Sequence, residues 1–74
     1  MNLQEFIEKF AEAIEIEEVV NLSGETLFRE LDEWSSLSVM LLIAFYDEEF
    51  EKEINYNDIR SCITIEDLYK LILI

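Results

Sequence analysis

The chain has no histidine and no proline, a single glycine, a single cysteine, and only 5 lysines and arginines among 74 residues. Each shortage excludes something. Without histidine, and with Cys62 as the sole thiol, there is no imidazole acid or base, no cysteine–histidine nucleophilic pair and no zinc site of the usual ligand set. A disulfide within the chain is excluded for the same reason. So few cations cannot neutralise a row of phosphates, which argues against nucleic acid and against an anionic lipid surface as partners. The opening MNLQEFIEKF lacks the positive stretch and small-residue cleavage site of a secretion signal. The longest apolar run, Val39 to Tyr46, is eight residues, against about 20 for a membrane span. The expectation is a cytoplasmic chain with no membrane insertion and a reduced Cys62.

What the chain does have is acid: 18 aspartates and glutamates give a formal charge of −13. Its 51% hydrophobic content is too high for disorder, and the length fits one domain over residues 1–74. A domain of this size buries only about 60% of its unfolded surface, so the stability margin is thin. Basic protein surfaces are the natural counterpart of such charge.

Apolar residues at Leu3, Phe6, Ile7, Phe10, Ala13 and Ile14 repeat every three or four positions, as in an amphipathic helix. Asn2 and Glu5 have capping-box spacing, so this helix starts at residue 2 or 3. From Glu15 to Trp34 the pattern loosens into a long loop, which either contains a short helical turn or holds a site. Leu22, Leu27, Phe28, Leu31 and Trp34 are the residues that would anchor it. Val19 and Val20 suit a strand, but no second strand is there to pair with them.

Residues 36 to 53 carry the strongest helical signal. Leu37, Met40, Leu41, Ala44 and Phe45 form one stripe, and Val39, Leu42, Ile43, Tyr46 and Phe50 an adjoining one. A helix apolar over so much of its circumference should be central. Its second half is crowded with acids that oppose the helix dipole, so tertiary packing must hold that end. A short helix from about Asn57 follows. Thr64 and Asp67 then cap a last helix bearing Ile65, Leu68, Tyr69, Leu71, Ile72 and Ile74. Three longer helices and one short third helix make an all-α four-helix bundle the economical architecture.

Few residues invite chemistry. With eighteen acids, chance carboxylate pairs are inevitable, and Asp47, Glu48, Glu49 and Glu51 lack the ligand spacing and central glycine of a calcium loop. They read as a solvated or partner-facing surface, and no metal site or catalytic residue is assigned. Cys62 reads as core. Most of the aromatics, Phe6, Phe10, Phe28, Trp34, Phe45, Tyr46, Phe50, Tyr56 and Tyr69, also read as core. More informative is Asp32-Glu33-Trp34-Ser35-Ser36-Leu37-Ser38. Serines ahead of a helix usually cap it. The same place also stabilises a phosphate, through free N–H groups and the positive end of the dipole, so a serine there suits a phosphodiester attachment.

Taken in order along essentially all 74 residues, these features resemble the acyl carrier protein family. They are an amphipathic first helix, a long loop, Ser36-Leu37 opening an apolar helix, Asp47-Glu48-Glu49-Phe50, Ile54, a short third helix, and Thr64-Ile65-Glu66-Asp67. The family hallmark is Asp-Ser-Leu, and its serine carries 4′-phosphopantetheine. Ser36 and Leu37 match the second and third positions. Trp34 is also common in carriers outside primary fatty-acid synthesis. The resemblance implies a non-enzymatic, monomeric carrier holding acyl groups as thioesters on an arm at Ser36. Its partners would be a phosphopantetheinyl transferase and acyl-transferring or acyl-activating enzymes of a specialised biosynthetic pathway.

The chain departs from the family in two places. Ser35 stands where the family has the aspartate that engages the transferase and its magnesium, with Asp32 and Glu33 as electrostatic substitutes. Aligning Ser35 as the attachment site would put Ser36 where leucine belongs, a poorer match. Ser38 and Leu41 stand where the family often has partner-facing acids, so partners are expected to read a mixed apolar and acidic surface. An interior containing Phe6, Leu42, Phe45, Phe50, Ile54, Ile59, Ile63 and Leu68 either shelters the acyl chain or is simply packed. The alternative function is an unmodified, carrier-like acidic interaction module. A small hydrolase is left without a nucleophile and base.

Overall fold

A computed structural model describes residues 1–73. Helix α1 spans Leu3–Ala13. The side chain of Asn2 accepts the Glu5 N–H at 2.8 Å, and the Glu5 carboxylate accepts the Asn2 N–H at 3.1 Å, so the capping box forms at its expected place. The helix stops where Glu15 takes φ 63°. The Ile16 N–H then returns to the Ala11 carbonyl at 2.7 Å, which satisfies a carbonyl that the helix end would leave open.

The loop that follows holds two 3₁₀ turns, Val19–Asn21 and Phe28–Glu30. Phe28 is fully buried and packs edge-on to Trp34 at 4.9 Å between centroids. Leu22, Leu31 and Trp34 pack against the core half-buried, whereas Leu27 stays exposed and is not an anchor. Leu27 instead forms an antiparallel bridge with Thr64. Beside it the carbonyls of Thr26 and Gly24 accept the N–H groups of Ile65 and Glu66 at 3.1 and 2.9 Å. The loop thereby satisfies two donors at the start of the last helix. Glycine suits position 24 because a Cβ there would lie 2.9 Å from Leu3 Cδ2 and 3.3 Å from Glu66 Cβ.

Helix α2 is Ser36–Phe50, ending three residues before the expected 53. Glu51 turns left-handed at φ 51° and the Lys52 N–H folds back to the Tyr46 carbonyl at 3.2 Å. The physical reason is the run of acids, which repel one another and oppose the dipole where the helix would have continued. Helix α3 is Tyr56–Arg60, capped by Asn55 with Asp58. Helix α4 is Ile65–Lys70, capped by Thr64 with Asp67, and tightens into a 3₁₀ turn at Leu71–Leu73. The last helix is therefore short as well: there are two longer and two short helices rather than three and one. Ile74, read with this segment, lies outside the described residues.

Among the described residues there are four α-helices and no strand, so the fold is all-α. Phe6, Phe10, Phe28, Leu42, Tyr46, Ile59, Ile65 and Leu68 are fully buried. Ile63 was expected inside but is 61% exposed, because it sits in the turn between α3 and α4 with its N–H given to Asp67. Tyr56 is exposed too, at the first turn of α3.

Candidate functional site

The loop delivers the chain to Ser35, the extended N-cap of α2, with φ −147° and ψ 176°. Ser38 holds this entry. Its hydroxyl accepts the Ser35 N–H at 3.0 Å and donates to the Glu33 carbonyl at 3.4 Å, and the residue is 2% exposed. The Ser35 hydroxyl faces the Ser38 N–H in the reciprocal half of the box, at looser geometry than a regular hydrogen bond. Two serines of the cluster thus serve capping, as local physics requires.

Ser36 is the first helical residue and is exposed, and its hydroxyl engages no hydrogen-bond partner among the described residues. No acid lies in the first turn of α2, so nothing on the helix offsets its positive end, while Asp32 and Glu33 are exposed just ahead of it. An accessible, unengaged hydroxyl at that point fits a phosphodiester arm. Ser36 would carry the arm, and the first N–H groups of α2 would favour its phosphate.

Beside Ser36 the helix shows apolar surface. Leu37 and Met40 are 60% and 67% exposed, and Ala44 is exposed one turn on. Met40, Ile43 and Ala44 line a shallow hollow of about 330 Å³ bounded by Asp47 and Glu53. The expected partner-facing positions need correction. Ser38 is buried and Leu41 half-buried, so the surface available near Ser36 is made by Leu37, Met40 and Ala44. The acids Asp47, Glu48 and Glu51 are exposed further along.

Cys62 is buried, its Sγ donating to the Asp58 carbonyl at 3.4 Å. Burial, and then the negative charge of Asp67, push its thiol up from the ordinary value, the opposite of an activated nucleophile. Among the described residues no group of three or more acids or cysteines is placed to hold a metal ion, and no helix is long and apolar enough to cross a membrane.

Two long-range side-chain contacts, one from Arg29 and one from the core residue Tyr46, help shape the molecule. Arg29 clamps the end of α3, and Tyr46 ties α2 to α4. For Arg29 the available signal was that it is the one base between Lys9 and Lys52. Comparison with family models, with curated proteins and with solved structures returns no match.

Proposed function

We propose that the protein is an acyl carrier with an acyl-carrier-like helical fold, in which Ser36 bears 4′-phosphopantetheine. The observation that carries this reading is the exposed, unengaged Ser36 hydroxyl heading α2 after a long loop. The serine-leucine order and the whole-chain resemblance support it. When attached, the arm supplies a thiol that holds an acyl group as a thioester. The protein's own residues do the presenting: Ser38 fixes the turn, the start of α2 favours the phosphate, and Leu37 and Met40 offer a partner an apolar contact beside the attachment point. The acids beyond them suit a basic rim on that partner.

Intact mass tests this. After exposure to phosphopantetheinyl transferase, coenzyme A and magnesium, the chain should gain one phosphopantetheine, and Ser36→Ala should gain none. A second reading, an unmodified acidic interaction module, is favoured by Ser35 in place of the family's acid. Absence of any mass gain with a panel of transferases would select it.

A further inference from the structure

The centre of the molecule is filled with rings. Phe6, Phe10, Leu42 and Tyr46 are each 0% exposed. Around Phe6 stand Phe45, Tyr46, Phe50 and Tyr69, at centroid distances of 6.1, 6.2, 6.3 and 5.5 Å. Phe45, Tyr46 and Phe50 also meet one another, at 5.7 Å for Phe45–Tyr46, 5.3 Å for Phe45–Phe50 and 5.6 Å for Tyr46–Phe50. Tyr46 adds a cross-tie, since its buried hydroxyl donates to the Leu68 carbonyl of α4. An alkyl chain pushed between α2 and α4 would have to displace close-packed aromatics and break that bond. Overpacking a filled core is itself destabilising.

The surface offers no better shelter. The groove between α1 and α2 has Ala13, Leu41, Ala44 and Phe45 in its lining, but Lys9, Glu12, Glu48 and Glu49 share it, and the Lys9–Glu49 ion pair crosses it at 3.5 Å. The hollow at the loop, about 630 Å³, has six acids between Glu15 and Glu33 in its lining. Walls so charged suit methylenes poorly. The hollow beside Met40 is shallow and open to solvent.

On the carrier reading, we infer that the cargo is a short or polar acyl group that stays outside the core, rather than a long alkyl chain withdrawn between the helices. A long chain left in water would be an exposed apolar liability on every carrier molecule. A filled core therefore suits a cargo that needs no hiding.

The test loads Ser36 enzymatically with acetyl, octanoyl and dodecanoyl arms. In parallel, Ser36→Cys in a Cys62→Ala background is alkylated with alkyl iodoacetamides of the same lengths. The readouts are the unfolding midpoint and the side-chain NMR signals of Phe6, Tyr46 and Leu68. The midpoint should stay level from the shortest arm to the longest, and the core signals should not move. In Tyr46→Leu, which removes the ring and its tie, the dodecyl arm should raise the midpoint. Arms that stabilise the parent protein progressively with length, and shift Phe6 and Leu68, would overturn the inference while leaving the carrier reading intact. Failure of every transferase to load Ser36 would remove the carrier reading and the cargo with it.

Discussion

The guanidinium of Arg29 donates to the Cys62 carbonyl at 2.6 Å, spanning 33 residues of sequence, and its other terminal nitrogen donates to the Ile59 carbonyl at 2.7 Å. The same group lies 4.8 Å over the ring of Phe28. A five-residue helix has few bonds of its own, and its last carbonyls point to the negative end of its dipole. A forked cation from the loop meets both needs. Arg29→Ala should therefore cost about 1–3 kcal/mol in urea unfolding. Arg29→Lys should recover only part, because an ammonium lacks the fork. Amide exchange should accelerate first at Ile59 to Ile63. An Ala variant as stable as the parent would show that the clamp contributes nothing net.

Asp67 gives a pH signature. Its carboxylate accepts the N–H groups of Ile63 and Thr64 at 2.9 and 3.1 Å, and the Thr64 hydroxyl accepts the Asp67 N–H at 3.2 Å. Those backbone donors hold the carboxyl below its ordinary value. With the folded value depressed, the unfolded chain takes the proton first as pH falls. The contribution is therefore present above about pH 4, the ordinary aspartate range, and disappears as pH drops through the folded value. The difference in midpoint between the parent and Asp67→Asn should stay constant at neutral pH and shrink below about pH 4. Using the difference removes the opposite effect of the other acids, whose repulsion also weakens on protonation.

What could be read in advance was local. The boxes at Asn2–Glu5 and Thr64–Asp67 are three-residue relationships, visible without tertiary structure. The Asn55–Asp58 box has the same spacing, yet the sequence pattern places the start of α3 at about Asn57, one position late, because its apolar residues are too sparse to point to the cap. Helix α2 was unmistakable, but an apolar circumference does not say which side is covered. Leu37 and Met40 are exposed while Leu42 and Tyr46 are buried. The Arg29 and Tyr46 bonds join residues 30, 33 and 22 positions apart, so no local periodicity encodes them. Ser36 was legible as a candidate because both its order before Leu37 and its place ahead of an apolar run are features of the sequence. Its freedom from the capping network, with Ser35 and Ser38 taking that work, needed the structure.

The net charge of −13 makes a prediction about salt. The Lys9–Glu49 pair is nearly half exposed on both sides and, like most such pairs, should be worth about 0–1 kcal/mol. Repulsion among the excess acids is thus poorly offset. Sodium chloride should raise the unfolding midpoint by screening, and divalent cations should do so at lower concentration. Because no cluster suited to a metal ion occurs among the described residues, magnesium and calcium should act alike and without saturation at one equivalent. A sharp one-equivalent transition with calcium alone would contradict diffuse screening.

Ser35 is where the carrier reading is most exposed to test. It is the N-cap of α2, lies on the surface, and precedes a first turn without acid. An aspartate there caps at least as well as serine, and its charge sits at the positive end of the dipole, an effect worth about 0.3–1 kcal/mol. Ser35→Asp should therefore fold as the parent does, with a midpoint equal or higher. If the acid of the family motif serves the transferase and its magnesium, the same substitution should speed modification of Ser36 several-fold, while Ser35→Ala should leave that rate unchanged and lower stability slightly. Stopped-time intact-mass measurements on the three proteins, with Ser36→Ala as the blank, separate the two effects. An unaltered rate in a well-folded Ser35→Asp protein would assign the electrostatic role to Asp32 and Glu33. Replacing both by their amides should then slow modification in the parent background.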